Sequence, residues 1–293
     1  MMLAEPLLTW SDPPRELVGF IGAFLAAGAI GFRYSALRGR VASGDHAFYV
    51  EAARRAALIG LVGALLTIGL AVYGLPSLAA RRHTTAVALL TGDKQTMIQF
   101  VCLGLAFIGF AIAGARAQAG WIIAAIGVIV GSLRAALFGQ WARLVNPIHV
   151  LAAGLWIGTL FVLVAAGISA LFRREQDAEH RGPITADMVN SFSPLALVAG
   201  GVVVLFGLIT AWRHLHTLPN LWLTPYGWTL LVKLAFVATV FALGAWNWRR
   251  QRPSLGSHEA AASIRKSATA ELVVAAVVLV ITSVLVSLPS PRG

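Results

Sequence analysis

Apolar residues in this chain come in long unbroken runs, not in strict alternation. Eight runs lie near Leu17–Phe32, Ala56–Leu75, Ile98–Ala115, Ala119–Leu133, Ile148–Phe172, Pro194–Trp212, Tyr226–Trp246 and Leu272–Leu288. A helix that crosses the hydrocarbon core needs about 20 mostly apolar residues. Continuous runs of that length point to spanning helices, because a transmembrane strand is shorter and alternates in character. The pattern therefore predicts an all-α polytopic membrane protein, a bundle of about eight transmembrane helices. The third and fourth runs are separated only by Arg116, Gln118 and a few small residues, which predicts a tight hairpin. Four runs fall in residues 1–138 and four in 139–293, and the chain is read as two four-helix membrane halves. The loops near 34–55, 76–96 and 173–192 are too short for a further domain.

Composition sharpens this picture. Of the 293 residues 58% are hydrophobic and 12% charged, whereas soluble domains carry about a quarter charged residues. Lipid must solvate much of the surface. The formal net charge of +11 does not signal nucleic acid, because the basic residues sit in short loops between apolar runs and form no separate basic domain. They report orientation instead. With the N-terminus outside, fourteen Lys and Arg fall in inner loops and seven in outer segments. The positive-inside bias then places both termini outside. Arg81 and Arg82 are the main discordant pair. The first residues lack a basic leader region, so the first apolar run is expected to remain in the protein. Cys102 stands alone inside an apolar run and reads as a packing residue.

Candidate chemistry gathers on the outer side. His149 opens the fifth run, while His214 and His216 close the sixth. Consecutive helices are usually neighbours, so these two ends are expected to meet at a common depth. Met97 begins the third run on the same side. Imidazole suits copper and zinc, and a thioether suits Cu(I), so His149, His214, His216 and Met97 form a candidate metal set. Interfacial histidines with no ligand are the alternative reading. His46, His180 and His258 fall in inner loops among charged residues. Lys233 lies about two turns into the seventh run, where a charge is expensive and normally faces a cavity or a partner. Tyr226 shares its face, seven residues earlier, just as Trp156 shares that of His149. Glu271 begins the eighth run, where a carboxylate suits a helix N-terminus. No nucleotide-binding loop, HExxH or activated nucleophile is present, so no enzyme is expected.

Asn146-Pro-Ile-His-Val-Leu-Ala-Ala-Gly-Leu-Trp-Ile-Gly158, then Ser191-Phe192-Ser193, then Thr224-Pro-Tyr-Gly227 leading to Lys233 and Asn247, and finally Glu271 with Leu288-Pro289 follow one another in order. From about Gly139 to Pro291 the chain resembles the CopD family of copper resistance or copper uptake membrane proteins. The resemblance implies eight helices in a bacterial inner membrane and copper taken from the periplasmic side. It also implies a role for His149, with Trp156, Tyr226, Lys233, Asn247 and Glu271 as the accompanying positions, and a separate periplasmic CopC-like copper protein as a possible partner. Where family members often carry a Gly-His pair, this chain has Gly139-Gln140. Either His214 and His216 rebuild the site, or copper transport is lost. The rival readings are a haem-binding electron-transfer subunit and a structural subunit of a larger membrane complex.

Overall fold

The computed structural model describes residues 12–39, 47–173, 181–251 and 258–289. Among them every regular element is helical. The helices are α1 (Asp12–Tyr34), α2 (Ala47–Arg81), the short α3 (Ala86–Gly92), α4 (Lys94–Gly114) and α5 (Ala119–Ser132). They continue as α6 (Trp141–Phe172), α7 (Arg181–Leu215), the short α8 (Asn220–Leu223), α9 (Pro225–Gln251) and α10 (His258–Ser287). Seven of these are long and apolar enough to span a membrane. The eighth apolar helix, α5, has only 14 residues, or about 21 Å, and a 3₁₀ turn over Arg134–Phe138 follows it. The protein is an all-α polytopic membrane bundle.

Successive long helices alternate in direction. The first turn of α1, the end of α2, the starts of α4, α6 and α9 and the ends of α7 and α10 share one rim, called here the terminal rim. Several helices run well past their apolar runs. Ala47–Arg55 precedes the second run, Arg181–Ser193 the sixth, and His258–Ala270 the eighth. The added turns carry charge: Glu51 meets Arg54, Arg55 and Arg116 at the opposite rim. A hydropathy window sees only the part of a helix that lipid covers, so these polar extensions were read as loops.

Helix α1 packs against α2, α6 and α10, while α4 and α5 form the expected hairpin beside α2. The largest apolar core follows this arrangement and contains Phe32, Phe48, Phe110, Leu163, Ile168 and Met188. The α1–α6 approach is so close that a Cβ on Gly28 would overlap the Gly158 carbonyl, a small-residue contact typical of membrane helices. Helix α9 packs mainly on α10. A second cluster of Leu215, Tyr226, Leu230 and Leu285 joins α7, α9 and α10 at the terminal rim.

The discordant basic pair acquires a partial explanation. Arg82 forms a 3.0 Å ion pair with Asp93, which caps α4 by accepting from the Thr96 amide at 3.0 Å and its hydroxyl at 2.6 Å. These hydrogen bonds, with Arg82 secondary, hold the Asp93 carboxyl below its ordinary pKa.

Candidate functional site

Local sequence sets up the inward face of α9. Thr224 caps the helix by accepting from the Gly227 amide at 3.0 Å, and Pro225 takes the first helical position, where its missing N–H costs nothing. From that start Tyr226, Lys233, Val240 and Asn247 fall seven residues apart and so lie on one face. Tyr226 and Val240 are buried, while Lys233 and Asn247 are half-buried. Trp228, Val232, Leu234, Trp246 and Trp248 occupy the exposed face. Lys233 thus sits on the protein-facing stripe and lies near enough to His149 of α6 to interact with it electrostatically.

His149 is held against α7. Its Nδ1 lies 2.9 Å from the Val203 carbonyl oxygen, and its ring packs over Gly207, where a Cβ would come within 3.0 Å of Cε1. A carbonyl oxygen only accepts, so Nδ1 carries the proton in this bond. The neutral ring then presents the Nε2 lone pair, the form in which histidine binds metals. His214 repeats the device: its Nδ1 lies 2.8 Å from the Thr210 carbonyl oxygen. Its ring stacks on Tyr226 at 5.8 Å between centroids with 12° between planes.

The two histidines do not share a depth. His149 meets α7 at Val203–Gly207, and Gly207 precedes His214 by seven residues, about 10 Å along the axis. The expectation of equal depth failed because α7 extends past the level at which His149 enters the bundle. The His214 side chain folds back one turn toward Thr210, which narrows the gap. Between the two levels, the Thr210 hydroxyl is buried with no hydrogen-bond partner among the described residues. His216 is exposed just beyond α7 with a left-handed φ of 57°. Met97 is 43% exposed on α4, whose main neighbours are α2, α3 and α5. His83 is exposed, also with positive φ. Among the described residues, no three His, Cys, Asp or Glu side chains converge as a metal cluster. Gln140 accepts from Arg143 at 3.0 Å. His46 and His180 lie outside the described residues.

Deeper in the bundle, Trp156 lies in a π-helical segment of α6, Gly154–Gly158, a local distortion common at functional sites. Its ring meets Phe241 of α9 at 4.5 Å between centroids and packs beside Gly200 of α7. Below this aromatic contact, the Asn247 amide donates to the Glu271 carboxylate, which lies beside Gly244. Glu271 does not begin a helix: α10 starts at His258, so no helix N-terminus stabilises its charge. The polar turns before the eighth apolar run concealed this. From the terminal rim inward, the facing sides of α6, α7, α9 and α10 therefore present His214 and Tyr226, then His149 and Lys233, then Trp156 and Phe241, and last Asn247 and Glu271. Val203, Gly207, Gly200 and Phe241 were not anticipated. Gly200 and Gly207 were visible as small residues within a span, yet simple packing explained them equally well.

Sequence comparison finds a likeness over part of this region. Residues 186–285 match the family described as copper resistance protein D. This segment is CopD-like. It contains most of α7, all of α9 and most of α10, hence His214, Lys233, Asn247 and Glu271. A curated relative, the copper transport protein CutJ of Bacillus subtilis, is 30% identical over 151 residues. That match covers 50% of this chain but only 25% of the relative, so the chain spans about a quarter of the relative's length. No solved structure matches the chain.

Proposed function

We propose that this protein moves copper across a bacterial inner membrane, taking the ion from the periplasmic side through the α6–α7–α9 crevice. The observation that carries this reading is the shared state of His149 and His214. Each Nδ1 is tied to a carbonyl of α7, leaving each Nε2 lone pair for a soft or borderline metal ion. The CopD-like segment and the copper transport relative support copper as the substrate. Both termini are periplasmic in this reading, and a CopC-like copper protein is a suitable donor at the terminal rim. Residues 139–293 form the conducting half and 1–138 support it.

The geometry supports a stepwise passage. His214, stacked on Tyr226, receives the ion, with exposed His216 and Met97 as soft-donor positions on the same rim. His149 accepts it next, about two turns deeper, past the Thr210 hydroxyl. Lys233 keeps this second site shallow, because its ammonium repels a bound cation, and conduction requires that an ion can leave as well as enter. Trp156 and Phe241 close the crevice below His149. Asn247 and Glu271 offer oxygen ligands beyond that aromatic contact.

The test is copper flux into proteoliposomes containing the full-length protein. The wild type should carry Cu(I), and His149→Ala should reduce the rate at least about tenfold, the effect of losing roughly 1.4 kcal/mol of ligand binding. Equal flux in the two proteins would reject the crevice as the route.

A further inference from the structure

A cavity of about 470 Å³ lies between α1, α2, α4, α5 and the start of α6. Ligand pockets generally fall in the range of about 300–1,000 Å³. Its deep wall is small and apolar, with Ala26, Ala64, Ala106 and Gly127 among the lining residues. Its rim is polar and carries two cations. Arg15 comes from the first turn of α1, and Arg134 from the turn after α5, with Glu16 and Gln99 beside them. Arg134 donates through Nη1 to the Gly131 carbonyl at 2.9 Å. The rest of its five-donor fork and the whole Arg15 guanidinium have no hydrogen-bond or ion-pair partner among the described residues.

We infer that this cavity binds an anionic phospholipid of the leaflet at the terminal rim, its phosphate held between Arg15 and Arg134 and its apolar part lying along the alanine and glycine wall. Three features select this occupant. Guanidinium matches phosphate with paired hydrogen bonds. A half-satisfied arginine at a membrane boundary is costly unless a partner reaches it. The hydroxyls that line the wall below the rim, Thr67 and Ser132, already donate to carbonyls of their own helices, which leaves the deep part of the cavity suited to an apolar chain. Pro147, Val150 and Leu151 line the cavity from the face of α6 opposite His149, and the inference does not depend on the copper reading.

Cys102, the sole cysteine, is buried apart from the surface it turns to the cavity, so a small electrophile reaches its thiol by way of the cavity. The experiment measures Cys102 alkylation by N-ethylmaleimide in delipidated full-length protein. Phosphatidylglycerol, phosphatidylcholine and glycerol phosphate are added in separate arms. Phosphatidylglycerol should slow alkylation at concentrations where the other two do not. Arg134→Gln should raise the concentration needed roughly tenfold, the order expected for losing a charge-assisted contact, and Arg15→Gln should raise it as well. Protection by phosphatidylcholine equal to that by phosphatidylglycerol would overturn anion recognition. So would undiminished protection in a folded Arg134→Gln protein. Equal protection by glycerol phosphate would overturn the lipid as occupant. If Arg134→Gln does not fold, the comparison of lipids on the wild type still decides between these outcomes.

Discussion

At the scale of single residues, His149 owes its position to what α7 lacks. Gly207 leaves the space that the imidazole fills, and a methyl group there would crowd Cε1 and Nδ1. Gly207→Ala should therefore weaken copper binding severalfold while the protein still inserts and folds, as read by Cu(I) competition titration and by size-exclusion elution. Unchanged affinity would mean that the ring position does not matter. Lys233 acts in the opposite sense. Lys233→Met removes a cation near His149, so copper should bind more tightly and be released more slowly. A stopped-flow release measurement checks this, and faster release would refute it. The sequence grouped His149, Lys233 and Tyr226 because a histidine and a lysine within apolar runs need partners, and the structure sets Lys233 near His149 and Tyr226 against His214. It could not give their depth. That depends on how far α7 slides along α6, which the Val203 and Gly207 contacts set through backbone and absence of side chain.

At the scale of helices, the apolar runs were legible and the helix ends were not. Lipid fixes the hydropathy of a span, whereas polar turns beyond it obey only propensity and local capping. Glu271 shows the consequence: it looked like an N-terminal residue and instead meets Asn247 in the body of α10. Asn247→Leu would leave that carboxylate without its amide donor, at a cost of about 1–3 kcal/mol for an unsatisfied buried group. A lower melting temperature should follow, partly restored by Glu271→Leu in the same protein. The Asp93 cap makes a milder prediction. Its carboxyl is held below the ordinary value, so its stabilisation is complete above about pH 3.9 and fades as pH falls through the lower folded value. Asp93→Ala should cost about 1 kcal/mol near neutral pH, and the difference from wild type should shrink in acid. A constant difference across that range would contradict the ionised cap.

At the scale of the whole molecule, the bundle places its copper-ligand candidates, the start of α1 and the end of α10 toward one rim. Arg33 of α1, Arg54 and Arg55 of α2, Arg116 before α5 and Arg181 of α7 lie toward the other rim, which is consistent with a cytoplasmic side there. A periplasm-dependent reporter fused to the C-terminus should be active, and a reporter active only in the cytoplasm would invert the proposed direction of copper entry. X-ray absorption at the copper edge, recorded on Cu(I)-loaded wild type and on His149→Ala, tests the site itself most directly. The wild type should show imidazole nitrogen scattering near about 2 Å, a usual metal–imidazole distance, and His149→Ala should lose part of that signal together with bound copper. An unchanged spectrum and copper content in His149→Ala would contradict a copper site at His149.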